Sequence, residues 1–171
     1  VFMLARSRLC SRLLSSLGAA ALVATAVLTL APAARADGEP ATRVFLNGVP
    51  APVFFNDGDS FRVLGGTYVG SKARLAGSNT LESYGPVHRW GTWDSKELYV
   101  IAKMATLNAR KGVWHCESKD LSRDTYGRIL WWCEDLAVDQ VAKGLAHVMT
   151  VTAEGGKPAV VAAQKEAIKA H

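Results

Sequence analysis

The sequence predicts an α+β domain in which a small β-barrel packs against helices, and three observations carry that prediction. Short apolar runs punctuated by Asn-Gly, Asp-Gly and Gly-Gly pairs fill the first half of the domain. A helical pattern opens at Asp94 with the capping-box sequence Asp94-Ser95-Lys96-Glu97. A second pair of strand-like runs, each ending in a cysteine, follows that helix. At 171 residues, 49% of them hydrophobic and 20% charged, the chain suits one core plus an accessory segment.

The accessory segment comes first. Arg6, Arg8 and Arg12 precede an apolar run from about Leu13 to Leu30, and Ala34-Arg35-Ala36 puts small residues where a signal peptidase reads. Residues 1–36 are therefore expected to be a signal peptide. A single transmembrane anchor is the competing reading, because the run approaches the roughly 20 residues that span a bilayer; Pro32 and the Ala-Arg-Ala ending favour cleavage. The mature protein is then exported, periplasmic or extracellular, with no stable membrane association. Charge is affected too. The formal net charge of +5 and a pI of about 9.3 invite a polyanion partner. Four of the arginines and none of the acidic residues lie in the leader, which leaves sixteen basic against fifteen acidic side chains. Overall charge therefore says nothing of nucleic acid, and a polyanion site has to come from a local cluster.

Residues 37–42 read as a linker and 43–171 as the domain. Val44-Phe45-Leu46 and Pro52-Val53-Phe54-Phe55 flank an Asn47-Gly48 turn, and Ser60 to Leu64 follows Asn56-Asp57-Gly58. Another strand, about Ser71 to Ala76, follows Gly65-Gly66 and Gly70, so the first half reads as a tightly turned meander. Beyond Asp94, Leu98, Ile101, Ala102, Ala105 and Ala109 hold helical spacing up to Lys111-Gly112. A short helix from about Leu136 to Lys143 stops at Gly144, and a last helix opens at Pro158 and runs to about Ala170. Several short strands mixed with helices make an OB-like barrel one candidate.

Cys10 leaves with the leader, and Cys116 and Cys133 remain. Antiparallel pairing of the runs that end in them would bring the sulfurs together in an oxidising compartment. The closed loop would add roughly 3 kcal/mol in the chain-entropy account. A zinc site using His115 is the weaker reading, since the spacing lacks a CxxC pair.

Three clusters carry chemistry. Asp57-Gly58-Asp59-Ser60 places acidic groups on a turn, which suits a hard cation, although the twelfth position of an EF-hand loop would be Tyr68 and excludes that motif. Arg74-Leu75-Ala76-Gly77-Ser78-Asn79-Thr80-Leu81-Glu82 ends a strand in a polar loop. Asp124-Thr125-Tyr126-Gly127-Arg128 delivers a second arginine at a turn. Paired guanidinium groups neutralise phosphate oxygens, and a carboxylate positions or deprotonates water, so together these groups suit phosphodiester cleavage.

In order and spacing these clusters, with Tyr84-Gly85-Pro86 and Val141-Ala142-Lys143-Gly144-Leu145-Ala146, resemble the staphylococcal nuclease (thermonuclease) family from about Phe54 to Ala170. The resemblance implies an OB-like five-stranded β-barrel with three helices, and a monomeric, calcium-assisted nuclease acting on DNA, RNA or both. It makes Asp59 a calcium ligand supported by Asp57, and has Thr80 lend its backbone carbonyl. Glu82 would hold the attacking water, Arg74 and Arg128 would grip the phosphate, and Tyr126 would lie against the nucleotide. The chain departs from the pattern in several places. Asn79 stands where the family has a second calcium-ligating aspartate, which implies a weak, roughly millimolar site. Leu81 replaces a proline, and that should loosen Glu82. Thr125, Thr150 and Thr152 replace a basic and two aromatic contacts. The longer Tyr84 to Trp93 segment, with His88, Arg89, Trp90 and Trp93, suits a substrate-contacting lip, packing being the plainer reading. These departures motivate the alternative of a catalytically weak or inactive module that binds nucleic acid or protein.

Overall fold

The computed structural model describes residues 43–83, 91–149 and 156–170, all within one compact unit that begins at Ala36. The expected signal peptide and linker, the Tyr84 to Trp90 part of the long segment, Thr150 and Thr152 lie outside the described residues. Nine strands and three helices are described: β1 (Arg43–Leu46), β2 (Val49–Ala51), β3 (Val53–Phe55), β4 (Ser60–Val63), β5 (Lys72–Leu75), β6 (Ser78–Thr80), α1 (Ser95–Lys111), β7 (Val113–Cys116), β8 (Ile129–Trp131), α2 (Glu134–Ala142), β9 (Ala146–Val148) and α3 (Pro158–Ala170). The fold is α+β. Among the described residues the ladders form two mixed sheets, β2-β1-β7 and β3-β4-β5-β8, and one antiparallel pair, β6-β9. No described helix is long and apolar enough to cross a membrane.

The Asn47-Gly48 turn forms as expected, with both residues at positive φ (49° and 79°), the geometry that matches hairpin twist. Its returning strand is β2, however, with Leu46 opposite Val49, whereas Val53–Phe55 pairs with β4 in the other sheet. Pro52 is the point of transfer. It has no N–H to donate to a ladder, while its carbonyl accepts from Leu64 N at 2.8 Å. The meander proper is β3-β4-β5, and its register sets Ser60 opposite Arg74.

The Asp94 capping box is present in full: Asp94 Oδ1 accepts from Lys96 N and Glu97 N, and Glu97 Oε2 accepts from Asp94 N. From it α1 lays Leu98, Ala102, Ala105 and Ala109 into the interior. Val44, Leu46, Phe55, Phe61, Val63, Leu75, Trp131 and Leu136 form the main core. A smaller cluster joins Ala137 and Val141 of α2 to Val160 of α3.

The expected cysteine hairpin is corrected by the topology. Strand β7 pairs in parallel with β1, and β8 pairs in parallel with β5, so the two cysteine runs belong to different sheets. They touch through one antiparallel bridge, in which Glu117 and Trp132 exchange both backbone bonds at 3.0 and 2.9 Å. Cys116 and Cys133 occupy the next opposed position, where antiparallel Cα atoms approach most closely, and they are 4.1 Å apart and disulfide-bonded. The disulfide therefore forms, though from a single bridge rather than a ladder. The short helix also starts earlier than expected, at Glu134, and ends before Gly144, which sits at φ 67°.

Candidate active site

The first cluster sits in the β3-β4 turn, the second spans β5 and β6, and the third enters β8. Three pairings bring them together. Ser60 lies opposite Arg74, β8 runs parallel to β5 with Arg74 aligned to Leu130, and β6 turns back after Gly77 to pair with β9. Segment 78–80, expected as loop, is thus a short strand. Its partner β9, Ala146-His147-Val148, alternates in polarity but is too short for a period to be read from sequence.

Asp59 is the hub. It is buried, and both carboxylate oxygens are occupied by donors: Oδ1 accepts from Arg74 Nη1 and from Ser60 Oγ (3.0 Å), and Oδ2 accepts from Thr80 N (2.6 Å) and Thr80 Oγ1 (3.1 Å). Arg74 extends the network by donating from Nη2 to Asn79 Oδ1, and Asn79 Nδ2 donates to the Thr80 carbonyl at 3.1 Å. Only 4% of Arg74 is exposed, and its Nε has no hydrogen-bond partner among the described residues. Arg74 is thus a fixed, enclosed charge. Arg128, the residue just before β8, approaches the same point. Its Nη1 lies 3.4 Å from Ser60 Oγ, the distance at which Arg74 Nη1 also stands from that oxygen.

Asp124 holds Arg128 in this pose through two bonds, accepting from Arg128 N (2.9 Å) and Nε (2.6 Å). Burial would raise its carboxyl, but the Arg128 backbone N–H, guanidinium and charge outweigh burial and keep Asp124 below its ordinary value. Tyr126 stacks near the Arg128 guanidinium, 5.3 Å from ring centre, and is otherwise in solvent. Asp57 accepts from Asp59 N at 3.2 Å. Burial first, then the neighbouring Asp59 charge, pushes the Asp57 carboxyl up to about 7, with Glu82 adding to the effect. Glu82 itself is exposed and makes no hydrogen bond or ion pair to the cluster among the described residues.

Hydrogen bonds thus join Asp57, Asp59, Arg74, Asn79 and Thr80, Arg128 reaches the same point through Ser60, and Tyr126 hangs on the 124–128 turn. Three further residues support them. Ser60 is where the two arginines meet. Gln140, fully buried on α2, donates from Nε2 to Gly58 O (3.0 Å) and Ala105 O (3.2 Å), which ties the acidic turn to α1. Ser83 bonds to Ala102 O (3.3 Å) and to Thr106 Oγ1 (3.1 Å) and anchors the chain just after Glu82. A polar residue within the apolar stripe Leu136, Ala137, Gln140, Val141 was the available signal for Gln140.

In this arrangement the Asp59 carboxylate offers a calcium ion no open lone pair, since four donors fill its two oxygens. A calcium site takes six to eight oxygens with free lone pairs. Asn79 Oδ1 and the Thr80 carbonyl each accept one hydrogen bond, from Arg74 and from Asn79, and Arg74 stands between Asp59 and Asn79.

Neither a protein-family model nor a curated protein matches this chain.

Proposed function

We propose that this chain is an exported nuclease of the staphylococcal nuclease type, hydrolysing phosphodiester bonds of DNA, RNA or both as a monomer, on an OB-like five-stranded barrel with three helices. One observation carries the reading: two guanidinium groups, Arg74 on β5 and Arg128 just before β8, each stand 3.4 Å from a single hydroxyl, Ser60 Oγ. Asp124 takes only Nε and the backbone N–H of Arg128, which leaves its terminal nitrogens toward that point, and a guanidinium matches phosphate oxygens. In the proposed reaction Glu82 takes a proton from a water whose oxygen attacks phosphorus. The ester P–O bond then breaks and its oxygen is protonated from solvent, while Arg128 and the enclosed charge of Arg74 stabilise the negative charge gathering on the phosphoryl oxygens. The three helices, the β3-β4-β5-β8 sheet and the disulfide support the fold and the export that belong to this reading.

Digestion of plasmid and of RNA by the full chain is the test. Glu82→Gln and Arg128→Ala are each expected to lower the rate by roughly 10²-fold or more without loss of fold. Equal rates in wild type and both variants would end the proposal. A second reading, a non-catalytic module that binds nucleic acid or protein, is favoured by one observation, the mutual neutralisation of Asp59 and Arg74 inside the site. It predicts oligonucleotide binding with no cleavage in any variant.

A further inference from the structure

We infer that the site is organised without calcium: the Arg74 guanidinium, pinned between Asp59 and Asn79, stands as the fixed positive charge where the cation would lie. The inference rests on the nuclease reading only for which oxygens would face the ion.

Three observations converge on it. The first is geometric. Nη1 and Nη2 of Arg74 reach Asp59 Oδ1 and Asn79 Oδ1 respectively, so a single planar cation bridges the carboxylate and the amide expected to share the metal. The second is chemical. Asn79 uses both ends of its amide, accepting from Arg74 and donating from Nδ2 to the Thr80 carbonyl. An aspartate here has no proton to donate, and its charge would face that carbonyl and Asp59 with only Arg74 for relief; an asparagine closes the ring of contacts by itself. The third is electrostatic. Asp59 and Arg74 are both almost wholly buried and pair as one unit of each sign, and Asp59 Oδ2 is taken by two Thr80 donors. A dication entering this ring would have to break the Arg74 contacts and sit beside a displaced, buried guanidinium, which the low local dielectric opposes. The role left to Asn79 is positioning. It holds Arg74 in a pose that Asp59 alone would not define.

Calorimetric titration of calcium into the full chain, and thermal unfolding in chelator against millimolar calcium, read this directly. Wild type is expected to give no saturable heat and no calcium-dependent shift in Tm, and any cleavage it performs should be the same in chelator to within about two-fold, since a ligand that does not bind the native state exerts no linkage. Asn79→Asp should gain both a binding isotherm and a rise in Tm with calcium. Saturable calcium binding by wild type, or a rise of several degrees in its Tm with calcium, overturns the inference whether or not Asn79→Asp folds. The two proposals separate cleanly. A chain that neither cleaves nor binds calcium loses the nuclease reading and keeps this one, whereas a chain that cleaves only with calcium does the reverse.

Discussion

Asp57 shows how the site's electrostatics reach stability. Burial and the adjacent Asp59 charge raise its carboxyl from the ordinary 3.8 to about 7, so within that window the native state keeps a proton that the unfolded chain has released. Stability from this group is therefore full below 3.8 and is lost as pH rises through about 7. Replacing Asp57 with Asn removes the titration, and the Tm difference, variant minus wild type, should grow as pH rises across the window. A constant difference would show that Asp57 does not titrate there. At this scale the resemblance pointed to Asp59, Arg74, Asn79, Thr80 and Arg128, and hydrogen bonds to Asp59, to Ser60 or, for Asn79, to Arg74 and Thr80 connect them. What they do to one another was not legible. That Arg74 would be enclosed, and Asn79 spend both ends of its amide locally, depends on a few ångströms of depth that no linear pattern encodes.

Among the elements, the contact between α1 and the acidic turn decides how well that network is held. A Cβ on Gly58 would fall 2.6 Å from Thr80 Cγ2 and 2.7 Å from Ala105 Cβ, so only glycine lets the turn lie against the alanine face of the helix. Gln140 closes the same contact from α2 with two buried hydrogen bonds. Its replacement by Ala strands those carbonyls beside a void and is expected to destabilise by about 2–4 kcal/mol in chemical denaturation. A loss below about 0.5 kcal/mol would mean that Gln140 is a bystander. Helices α1 and α3 were readable because caps and a proline opener mark their ends. Strands β6 and β9 were not, since three-residue strands take their conformation from partners distant in sequence, Asn79 from His147 among them.

For the whole molecule, the pairing of β7 with β1 and of β8 with β5 could not be read from the cysteine runs, because both are parallel and long-range. Beside the backbone, the disulfide across 17 residues ties the end of β7 to the segment just after β8. Its removal in Cys116→Ser/Cys133→Ser should lower stability by roughly 3 kcal/mol in the chain-entropy account, measured as a fall in denaturation midpoint. An unchanged midpoint would show that the bridge alone fixes the contact.

The segment between the two sulfurs contains Asp124, Tyr126 and Arg128, so the second guanidinium is presented from within a covalent ring. A freshly made chain in a thiol-rich interior would lack that ring, and its arginine would hang on an open segment. On the proposed function, the part of the phosphate grip that Arg128 supplies would be set only where that ring can close.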